Sequence, residues 1–540
     1  MKTFSTSYIS LCLFSLAFMA CTSHRYSVES MDFQRYTIDA KYDKAKNDAA
    51  EAFIAPYKHA VDSIMSPVVG RAAHDMTARR PESLLSNFLT DILVASGSQF
   101  GEKPDLGIYN IGGIRASISK GDITVGDIID VAPFENKICF LTLTGKDLTS
   151  LFEQIAARHG EGVSKEVKAV ITKDGKLVSL LIKGQPVNPE AKYRIATIDY
   201  LSEGNDGMPA FTLGTDRKML TDKSNNLRFI IIDYFKQLSR QGKEAEAKLV
   251  GRITVTEYDM KKITTILLIM ISVFSIAEAK KDKTITVYHT NDTHSQIYPY
   301  SPNLSDTTKA GRGGFVRRVA FFDLQRKQNP DLLLFDSGDF SQGSPYFTMY
   351  KGDVEVGLMN LMGYDAVAIG NHEFDFGLEN MARLFRNARF AVVCANYDFS
   401  GTPCEGIVKP YTVIVRNGVR IGVFGLSPRL EGLITAANYG STKYLDPIPV
   451  AKRMVSILRG KEKCDIVICL SHLGWKIGDP TASDECVIKE TAGIDLMLGG
   501  HSHTMLFKPQ YVENAEGKKV PVIQNGKSAC SISRFDIHVK

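Results

Sequence analysis

The chain has 540 residues, which is enough for two or more domains that each bury a sizeable core. Its hydrophobic content of 44% and charged content of 23% are ordinary for a globular protein. The formal net charge of +5 is small for this length, and no basic–aromatic array accompanies it. We therefore expect no nucleic-acid polymer among its partners.

An export signal is predicted at residues 1–21. Lys2 is followed by an apolar run that ends in a small residue before Cys21, a pattern typical of bacterial lipoprotein signals. This interpretation places a lipid anchor for the membrane on Cys21 and the protein in the periplasm or on the outer membrane or cell surface. The alternative is a plain secretory signal, because Phe18 fits poorly at its position before the cysteine.

The nine cysteines do not indicate a disulfide framework in a chain of this size. Cys139 and Cys469 lie in apolar runs and are expected in the core. Cys394 and Cys404 could form a local bridge in an oxidising compartment, and the sequence leaves that pairing open.

Residues from about 25 to 255 are expected to form the first domain. Amphipathic helices are predicted at 50–65 and 82–93, because apolar residues recur there at helical spacing. Strands are predicted at 141–144 and 193–197, and the second of these leads into a Gly-rich turn.

The turns of this first domain hold residues that suit a nucleoside. Phe134 and Tyr200 sit at loop starts, where aromatic faces can stack on a base. Asn110 and Asp206 lie in Gly-rich turns and can hydrogen-bond a base edge or ribose hydroxyls, while Arg115 can contact sugar or phosphate. Composition alone favours a simpler interpretation, in which the two aromatic residues are core residues and Arg115 is a solvated charge.

A second signal-peptide pattern occupies residues 260–279. Met260 and two lysines precede an apolar stretch that ends in Ala277 and Ala279, the small residues of a cleavage site. The stretch is short for a transmembrane helix, which needs about 20 residues. We interpret the chain as two tandem reading frames joined together. Cleavage after Ala279 would leave the two halves to pair non-covalently.

Polar residues follow five predicted strands in the remainder of the chain. The strands are predicted at 284–288, 332–335, 366–369, 466–470 and 496–498. Each ends where small or polar residues let the backbone turn, and catalytic residues of open α/β folds tend to lie at such ends. The residues that follow these strands are Asp292, His294, Asp339, Asn371, His372, Asp375, His472, His501 and His503.

These residue types suit a pair of metal ions. Asp292 and His294 are two positions apart, and in an extended segment they would point to one side and bind the same ion. A carboxylate at Asp339 can bridge two cations with its two oxygens. His372 and Asp375 could form a hydrogen-bonded acid–base pair beyond the metal ligand Asn371. Any one of these motifs is weak evidence by itself, but five such strand ends in order predict a two-metal hydrolase.

The series Asp292-x-His294, Gly338-Asp339, Gly370-Asn371-His372-Glu373, His472 and Gly500-His501-Ser502-His503 resembles the calcineurin-like metallophosphoesterase superfamily. Within it, the segments 289–294 and 371–375 resemble the bacterial 5′-nucleotidase family. The resemblance covers residues 283–540 and implies a four-layer α/β/β/α sandwich. Segments 110–115, 133–134 and 200–207 likewise resemble the C-terminal, substrate-specificity α/β domain of the same family, here placed first.

The resemblance implies roles for individual residues. Asn110, Arg115 and Arg79 would contact substrate, with Arg80 as an alternative to Arg79, while Phe134 and Tyr200 would stack the base and Asp206 would bind ribose. Ile111 stands where the family more often has a small residue, and Tyr200 replaces the commoner Phe.

The metal ligands divide into two sets that share Asp339. One ion would be held by Asp292, His294, Asp339 and His503, and the other by Asp339, Asn371, His472 and His501. His372, oriented by Asp375, would stabilise developing charge and assist the leaving group. The ions would be zinc, manganese, cobalt or magnesium, since mixed His, Asp and Asn ligands leave the choice open.

The implied activity is hydrolysis of nucleoside 5′-monophosphates, with the nucleotide as the partner. The alternatives are a 2′,3′-cyclic nucleotide phosphodiesterase/3′-nucleotidase, a nucleotide-sugar hydrolase, and a non-catalytic nucleoside-binding lipoprotein. Domain closure is expected to matter, because the aromatic residues and the metal ligands lie in different domains.

Overall fold

The computed structural model describes residues 26–45, 47–256, 283–302, 307–476 and 483–540. Both signal-like segments, 1–21 and 260–279, lie outside these ranges. Within them, no helix combines the length and the apolar character that a membrane crossing requires.

Residues 26–256 contain twelve of the described strands and six α-helices. In chain order these are β1 (Val28–Thr37), α1 (Asp48–Met65), β2 (Val68–Ala72), α2 (Leu84–Ser96), β3 (Leu106–Tyr109), β4 (Gly121–Thr124), α3 (Val125–Val131), β5 (Ile138–Thr144), α4 (Gly145–Ala157), β6 (Gly162–Val163), β7 (Val167–Thr172), β8 (Leu177–Ile182), β9 (Gln185–Pro186), β10 (Lys192–Ile198), α5 (Asp199–Ser202), β11 (Thr215–Met219), α6 (Leu227–Arg240) and β12 (Ile253–Thr256).

The described part of residues 283–540 begins with a strand and also ends with one. Its elements are β13 (Lys283–Thr290), α7 (Phe315–Gln328), β14 (Leu333–Asp336), α8 (Pro345–Tyr350), α9 (Asp353–Met362), β15 (Ala366–Ala368), α10 (Gly377–Asn387), β16 (Ala391–Val393), β17 (Tyr397–Asp398), β18 (Tyr411–Arg416), β19 (Val419–Leu426), α11 (Ala436–Tyr439), β20 (Lys443–Tyr444), α12 (Pro447–Ser456), β21 (Ile466–Ser471), α13 (Asp484–Glu490), β22 (Leu496–Gly499), β23 (Gln510–Glu513), β24 (Lys519–Ile523) and β25 (Ser531–Val539).

Two sheets form the centre of this second half. In the described chain, one has the order β1-β25-β13-β14-β15-β16 and the other the order β18-β19-β21-β22-β24-β23. Apolar residues of the facing strands, such as Phe335 and Leu498, fill the space between the sheets. Separate cores cover the outer faces, with Phe321 of α7 on one side and Met454 of α12 on the other. The expected four-layer α/β/β/α sandwich is confirmed.

The first half has its own core around a mixed sheet of order β11-β5-β10-β3-β6, counted in the described residues. Leu89 of α2 and Phe152 of α4 are fully buried against it, which places both helices on this sheet. The predicted strands at 141–144 and 193–197 are parts of β5 and β10, which pair antiparallel. The α/β character expected of this domain is confirmed.

The boundary of the first domain differs from the expected 25–255. Strand β1 pairs with β25 in the phosphoesterase-like sheet, and α1 is buried in the core that contains Phe321. The helix expected at 50–65 is present as Asp48–Met65, but its apolar face is turned toward the second half. Helical periodicity identifies a buried face without identifying the partner that covers it.

None of the cysteines within the described ranges forms a disulfide. Cys394 and Cys404 are both buried and do not pair with each other, so the optional local bridge is not formed. Cys139 and Cys469 are core residues, as predicted.

The two central sheets approach each other closely at Gly425. A Cβ built on it would lie 2.1 Å from the carbonyl oxygen of Val393, a backbone atom that cannot rotate away. We predict that Gly425→Ala lowers the free energy of unfolding by about 1–3 kcal/mol, because the strands must separate. Gly460→Ala is the control, since nothing lies within 4 Å of its Cβ position. Chemical denaturation would measure both variants, and equal stability of the two would contradict this account of the sheet contact.

Candidate active site

The polar residues singled out in the sequence meet at the carboxyl ends of the central strands. Asp292 and His294 follow β13, while Asp339 follows β14 and Asn371 follows β15. The loops after β21 and β22 bring three histidines to the same place, His472, His501 and His503. Because parallel strands of both sheets end on one side, residues more than 200 positions apart become neighbours.

Three overlapping groups of side chains in the described chain are arranged as metal ligands would be. Within each group the ligand atoms lie within 4.8 Å of one another. The groups are Asp292, His294 and His503; Asp339, His472 and His501; and His294, Asp339 and His372. Asp339 belongs to two of them, as a bridging carboxylate would.

In the first group, two imidazole nitrogens lie close to each other. His294 Nε2 and His503 Nε2 are 2.9 Å apart, and His503 Nε2 is 3.5 Å from Asp292 Oδ1. The rings of His294 and His503 stand at 89° to each other. This arrangement suits a cation bound between them.

In the second group, His472 Nε2 is 3.1 Å from Asp339 Oδ2. The other nitrogen, Nδ1, lies 2.7 Å from the carbonyl oxygen of Ser337 and donates to it, which leaves Nε2 as the ligand atom. His501 Nδ1 lies 3.0 Å from Asn371 Oδ1, so the amide oxygen also faces this cluster. Carboxylate, imidazole and amide oxygen are a donor set that fits zinc, manganese or cobalt.

The backbone around the cluster is held in an unusual conformation. Positive φ angles occur at Asp292 (49°), His294 (44°), Asp339 (57°), His501 (73°) and His503 (52°). Non-glycine residues rarely adopt this left-handed region, and such residues concentrate at functional sites. Asp292 and His294 therefore share a ligand group through a left-handed turn and not through the extended geometry assumed from the sequence.

Burial and mutual charge set the protonation of the cluster. Burial raises the pKa of Asp292 to about 7, and the nearby Asp339 acts in the same direction. Burial also lowers the pKa of His501 to about 3. For His472 burial alone would lower the pKa, but the charge and hydrogen bond of Asp339 raise it to about 10. The carboxylates thus attract positive charge to this space, which favours a bound cation.

Glu373 fixes the loops that carry Asp339 and Asn371. Its carboxylate accepts backbone N–H groups of Asp339 (3.1 Å), Ser341 (3.2 Å) and Gly370 (2.6 Å). A Cβ on Gly370 would lie 2.2 Å from Asp339 Oδ1, so only glycine permits this approach. Glu373 was not predicted as a site residue, and its position next to His372 was the available signal.

His372 and Asp375 form the expected pair. His372 Nδ1 lies 3.1 Å and 3.2 Å from the two carboxylate oxygens of Asp375. Burial by itself would lower the pKa of His372, but the charges of Asp375 and Asp339 outweigh it and raise the pKa. The opposite ring nitrogen, Nε2, is 4.0 Å from Asp339 Oδ2 and therefore faces the ligand cluster.

A cavity of about 430 Å³ opens onto this cluster, and both halves of the chain line it. Its volume lies in the range of about 300–1,000 Å³ that small-molecule sites occupy. The first half contributes Asn110, Arg115, Phe134, Tyr200, Glu203 and Asp206 among others. The second half contributes Asp339, Gln342, Asn371, His372, Asp375, His501 and His503, together with Phe347, Phe376, Leu433, Ile434, Thr435 and Asn438.

Five of the six predicted substrate residues line the cavity. Arg115 reaches furthest toward the ligand cluster, since its guanidinium donates to His294 Nε2 at 3.2 Å. Phe134 lies close to both Arg115 and His372. The centre of its ring is 5.6 Å from that of His372 and 5.9 Å from the Arg115 guanidinium carbon. The backbone N–H of Asp206 donates to the carbonyl of Gly432, across the boundary between the halves.

The remaining predicted residue, Arg79, is exposed and does not line the cavity. Its neighbour Arg80 donates to the carbonyl of Gly160 at 2.8 Å and pairs with the buried Glu161. Arg158 also pairs with Glu161 and lies 3.6 Å from Asp206 Oδ2, which places it nearer the cavity than Arg79 or Arg80.

The lining residues Leu433, Ile434, Thr435 and Asn438 were not predicted. They belong to the segment between β19 and β20 of the second half, opposite Tyr200. The Tyr200 hydroxyl approaches the carbonyl of Leu433 at 3.5 Å. The segment lacks a polar strand-end motif, so no chemical signal marked it in the sequence.

Each half of the chain matches a known protein family. Residues 68–213 match the model of the family described as 5′-nucleotidase, C-terminal domain. Residues 285–505 match the model described as calcineurin-like phosphoesterase.

The chain is similar to several curated proteins. Rat 5′-nucleotidase is 30% identical over 279 residues, which cover 48% of this chain and 47% of that protein. The trifunctional nucleotide phosphoesterase protein YfkN of Bacillus subtilis is 24% identical over 502 residues, covering 74% of this chain and 32% of that protein. A solved 5′-nucleotidase precursor from Thermus thermophilus is 34% identical, covers 46% of this chain and 50% of that chain, and has a TM-score of 0.42.

The second domain is thus a calcineurin-like phosphoesterase domain, a class of hydrolases that act on phosphate esters. Together the two domains are those of the 5′-nucleotidase family, present here in inverted order. The chain spans less than half the length of the curated 5′-nucleotidases that it matches at 30–31% identity.

The ligand assignment predicts how metal content depends on Asp339. We expect Asp339→Asn to lose at least one of two equivalents of zinc or manganese, because this carboxylate belongs to two ligand groups. Asp375→Asn should keep both, since Asp375 contacts His372 and belongs to none of the groups. Elemental analysis after dialysis would measure both variants. Equal metal content in Asp339→Asn and the unaltered protein would contradict the assignment.

Proposed function

We propose that the protein is an exported, metal-dependent 5′-nucleotidase that hydrolyses nucleoside 5′-monophosphates to nucleoside and phosphate. The observation that carries this proposal is the shared cavity, which has aromatic and amide residues of one domain facing the Asp/His cluster of the other. A nucleotide has the matching chemistry, with a flat base at one end and a phosphate dianion at the other.

The phosphate would bind at the ligand cluster. Asp292, His294, Asp339 and His503 would hold one divalent ion, and Asp339, Asn371, His472 and His501 a second. When bound, the ions supply charge stabilisation for the phosphate oxygens and an activated water. The Arg115 guanidinium lies beside His294 and adds a further positive charge at this end.

His372 is positioned for the leaving oxygen. Asp375 holds its Nδ1, so that Nε2 points toward the cluster, and the raised pKa keeps a proton available. As water adds to phosphorus and the bond to the 5′-oxygen breaks, the Nε2 proton would pass to that oxygen and release the nucleoside.

The nucleoside would occupy the end of the cavity formed by the first half. Phe134 and Tyr200 would stack on the base, and Asp206 would accept a ribose hydroxyl. Asn110 Nδ2 already donates to Asp206 Oδ2 at 2.6 Å, which orients that carboxylate. Among the described residues Asn110 Oδ1 is buried without a hydrogen-bond partner, so it can accept a donor from the substrate.

A second candidate is a broader nucleotide phosphoesterase, active on 2′,3′-cyclic nucleotides or nucleotide sugars. It is favoured by the Bacillus subtilis relative, which is named a trifunctional nucleotide phosphoesterase and whose match extends over more of this chain than either domain alone. Substrate profiling separates the two candidates. A non-catalytic nucleoside binder is disfavoured, because binding a nucleoside does not require the clustered metal ligands.

Export through residues 1–21, lipid attachment at Cys21 and cleavage after Ala279 belong to the same proposal. Labelling cells with a fatty-acid analogue tests the anchor, with Cys21→Ala as the control. A single intact mature chain on a denaturing gel of the host's envelope would rule out the cleavage.

The proposed function predicts metal-dependent turnover. We expect phosphate release from AMP to stop on chelation and to return with zinc or manganese. Asn371→Ala should lower kcat by at least about 100-fold, because a ligand that shapes the charge-stabilising site is removed. The control is Asn360→Ala, since Asn360 lies on α9 and bonds backbone groups of residues 387 and 389 instead of the cluster. Activity that survives both chelation and Asn371→Ala would contradict the proposal.

A second prediction tests the base-stacking end. Phe134→Ala should raise KM for AMP roughly 5- to 150-fold, which corresponds to about 1–3 kcal/mol of stacking per base. The effect on a substrate without a base, such as ribose 5-phosphate, should be much smaller. Phe229→Ala is the matched control, because Phe229 is an exposed aromatic of the same domain and does not line the cavity. An equal loss with both substrates would contradict base stacking.

A further inference from the structure

The first described residues of the chain pack against the second half. We propose that residues 26–66, named here the N-terminal clamp, dock the first domain onto the phosphoesterase domain so firmly that the two halves stay together without a covalent connection. Residue 46 lies outside the described part of this clamp. The inference adds a physical basis to the proposed pairing of cleaved halves, and it concerns assembly, so it does not depend on which phosphate ester is hydrolysed.

The clamp first adds a strand to the sheet of the other half. Strand β1 runs antiparallel to β25 with partners from Val28↔Val539 to Thr37↔Ser531. The pairing continues past the strand, because Ile38 N–H donates to Cys530 at 2.9 Å and Gly313 N–H donates back to Ile38 at 2.8 Å. Strand addition of this kind satisfies a sheet edge that would otherwise be open.

The clamp then fills the hydrophobic core of the other half. Ile38, Tyr42, Ala50, Ile54, Val61 and Met65 are all buried in the cluster that contains Phe321 and Leu334 of the second half. The Tyr42 and Phe321 rings meet edge to face at 5.1 Å, and those of Tyr57 and Tyr350 at 4.8 Å. Removing the clamp would therefore expose the core of the phosphoesterase domain to water.

Specific contacts fix the register of this docking. Arg317 of α7, almost fully buried, donates to both carboxylate oxygens of Asp43 at 2.7 Å and 2.8 Å. Phe53 packs where α9 carries Gly357, and a Cβ there would lie 2.1 Å from the Phe53 ring. The bidentate ion pair and the packing of Phe53 against Gly357 both require the two surfaces to fit each other. The clamp therefore matches one site on the second half.

The same contacts explain how the inverted order can still build one site. Ser27 and Lys540 exchange two backbone hydrogen bonds, of 2.8 Å and 3.1 Å, at the open end of the β1–β25 ladder. A short turn between these residues would give the opposite domain order with every described contact unchanged. The arrangement of the two halves in space therefore does not depend on which of their ends the chain connects.

The test uses the full chain with a specific protease site placed within residues 257–282. After complete cleavage, we expect the two pieces to elute together from a size-exclusion column at the volume of the uncut protein, at micromolar concentration and in the absence of denaturant. They should also retain the AMP hydrolysis rate of the uncut chain, if the proposed function holds. Separate elution of the pieces would overturn the inference, whatever the activity.

Two neighbouring substitutions on helix α1 test whether the clamp holds the cut pieces together. Ile54→Asp should weaken the pairing of the cut pieces at least about tenfold, because it buries an unpaired charge in the other half. Ala55→Asp, one residue along the same helix and exposed, should not change it. If the Ile54 variant does not fold, Asp43→Asn replaces it, since it removes only the ion pair with Arg317. Unchanged pairing in the clamp variants would overturn the assignment.

Discussion

The carboxylate of Asp339 is the point on which the site depends. It is buried with Asp292 among five histidines, and two carboxylates in so small a space cannot both be ionised without positive charge beside them. The left-handed backbone at Asp292, Asp339 and His503 and the glycine at Gly370 keep these side chains together at a cost in conformational free energy. A bound cation would offset that cost.

The second constraint is attachment of the first domain. A cavity lined by Phe134 and Tyr200 on one side and Asn371 on the other exists only while both halves hold one relative position. Direct contacts at the cavity are few, such as Asp206 to Gly432, whereas the clamp contributes a strand and a buried helix face. The position of the Asp/His cluster relative to Phe134 and Tyr200 therefore rests on packing remote from the cavity.

Sequence patterns located most elements, because alternating or continuous apolar runs identify strands such as Ile466–Ser471 directly. They also located the polar residues that cluster at the strand ends, since a strand end fixes where each side chain emerges. They did not place the helix Asp48–Met65 on the second half, because its apolar face fits any core. Nor did they identify Leu433 or Ile434, which become lining residues only when the halves meet. Contacts between distant segments carry no local signature.

The most direct test of a composite site is a crystal structure of the full chain soaked with manganese and a non-hydrolysable nucleoside 5′-phosphonate, with anomalous scattering used to locate the metal. Our account predicts two anomalous peaks that share the Asp339 carboxylate, with the phosphonate between them and Arg115 and the base against Phe134 and Tyr200. Peaks that do not involve Asp339, or a nucleotide bound by residues of one half alone, would contradict it.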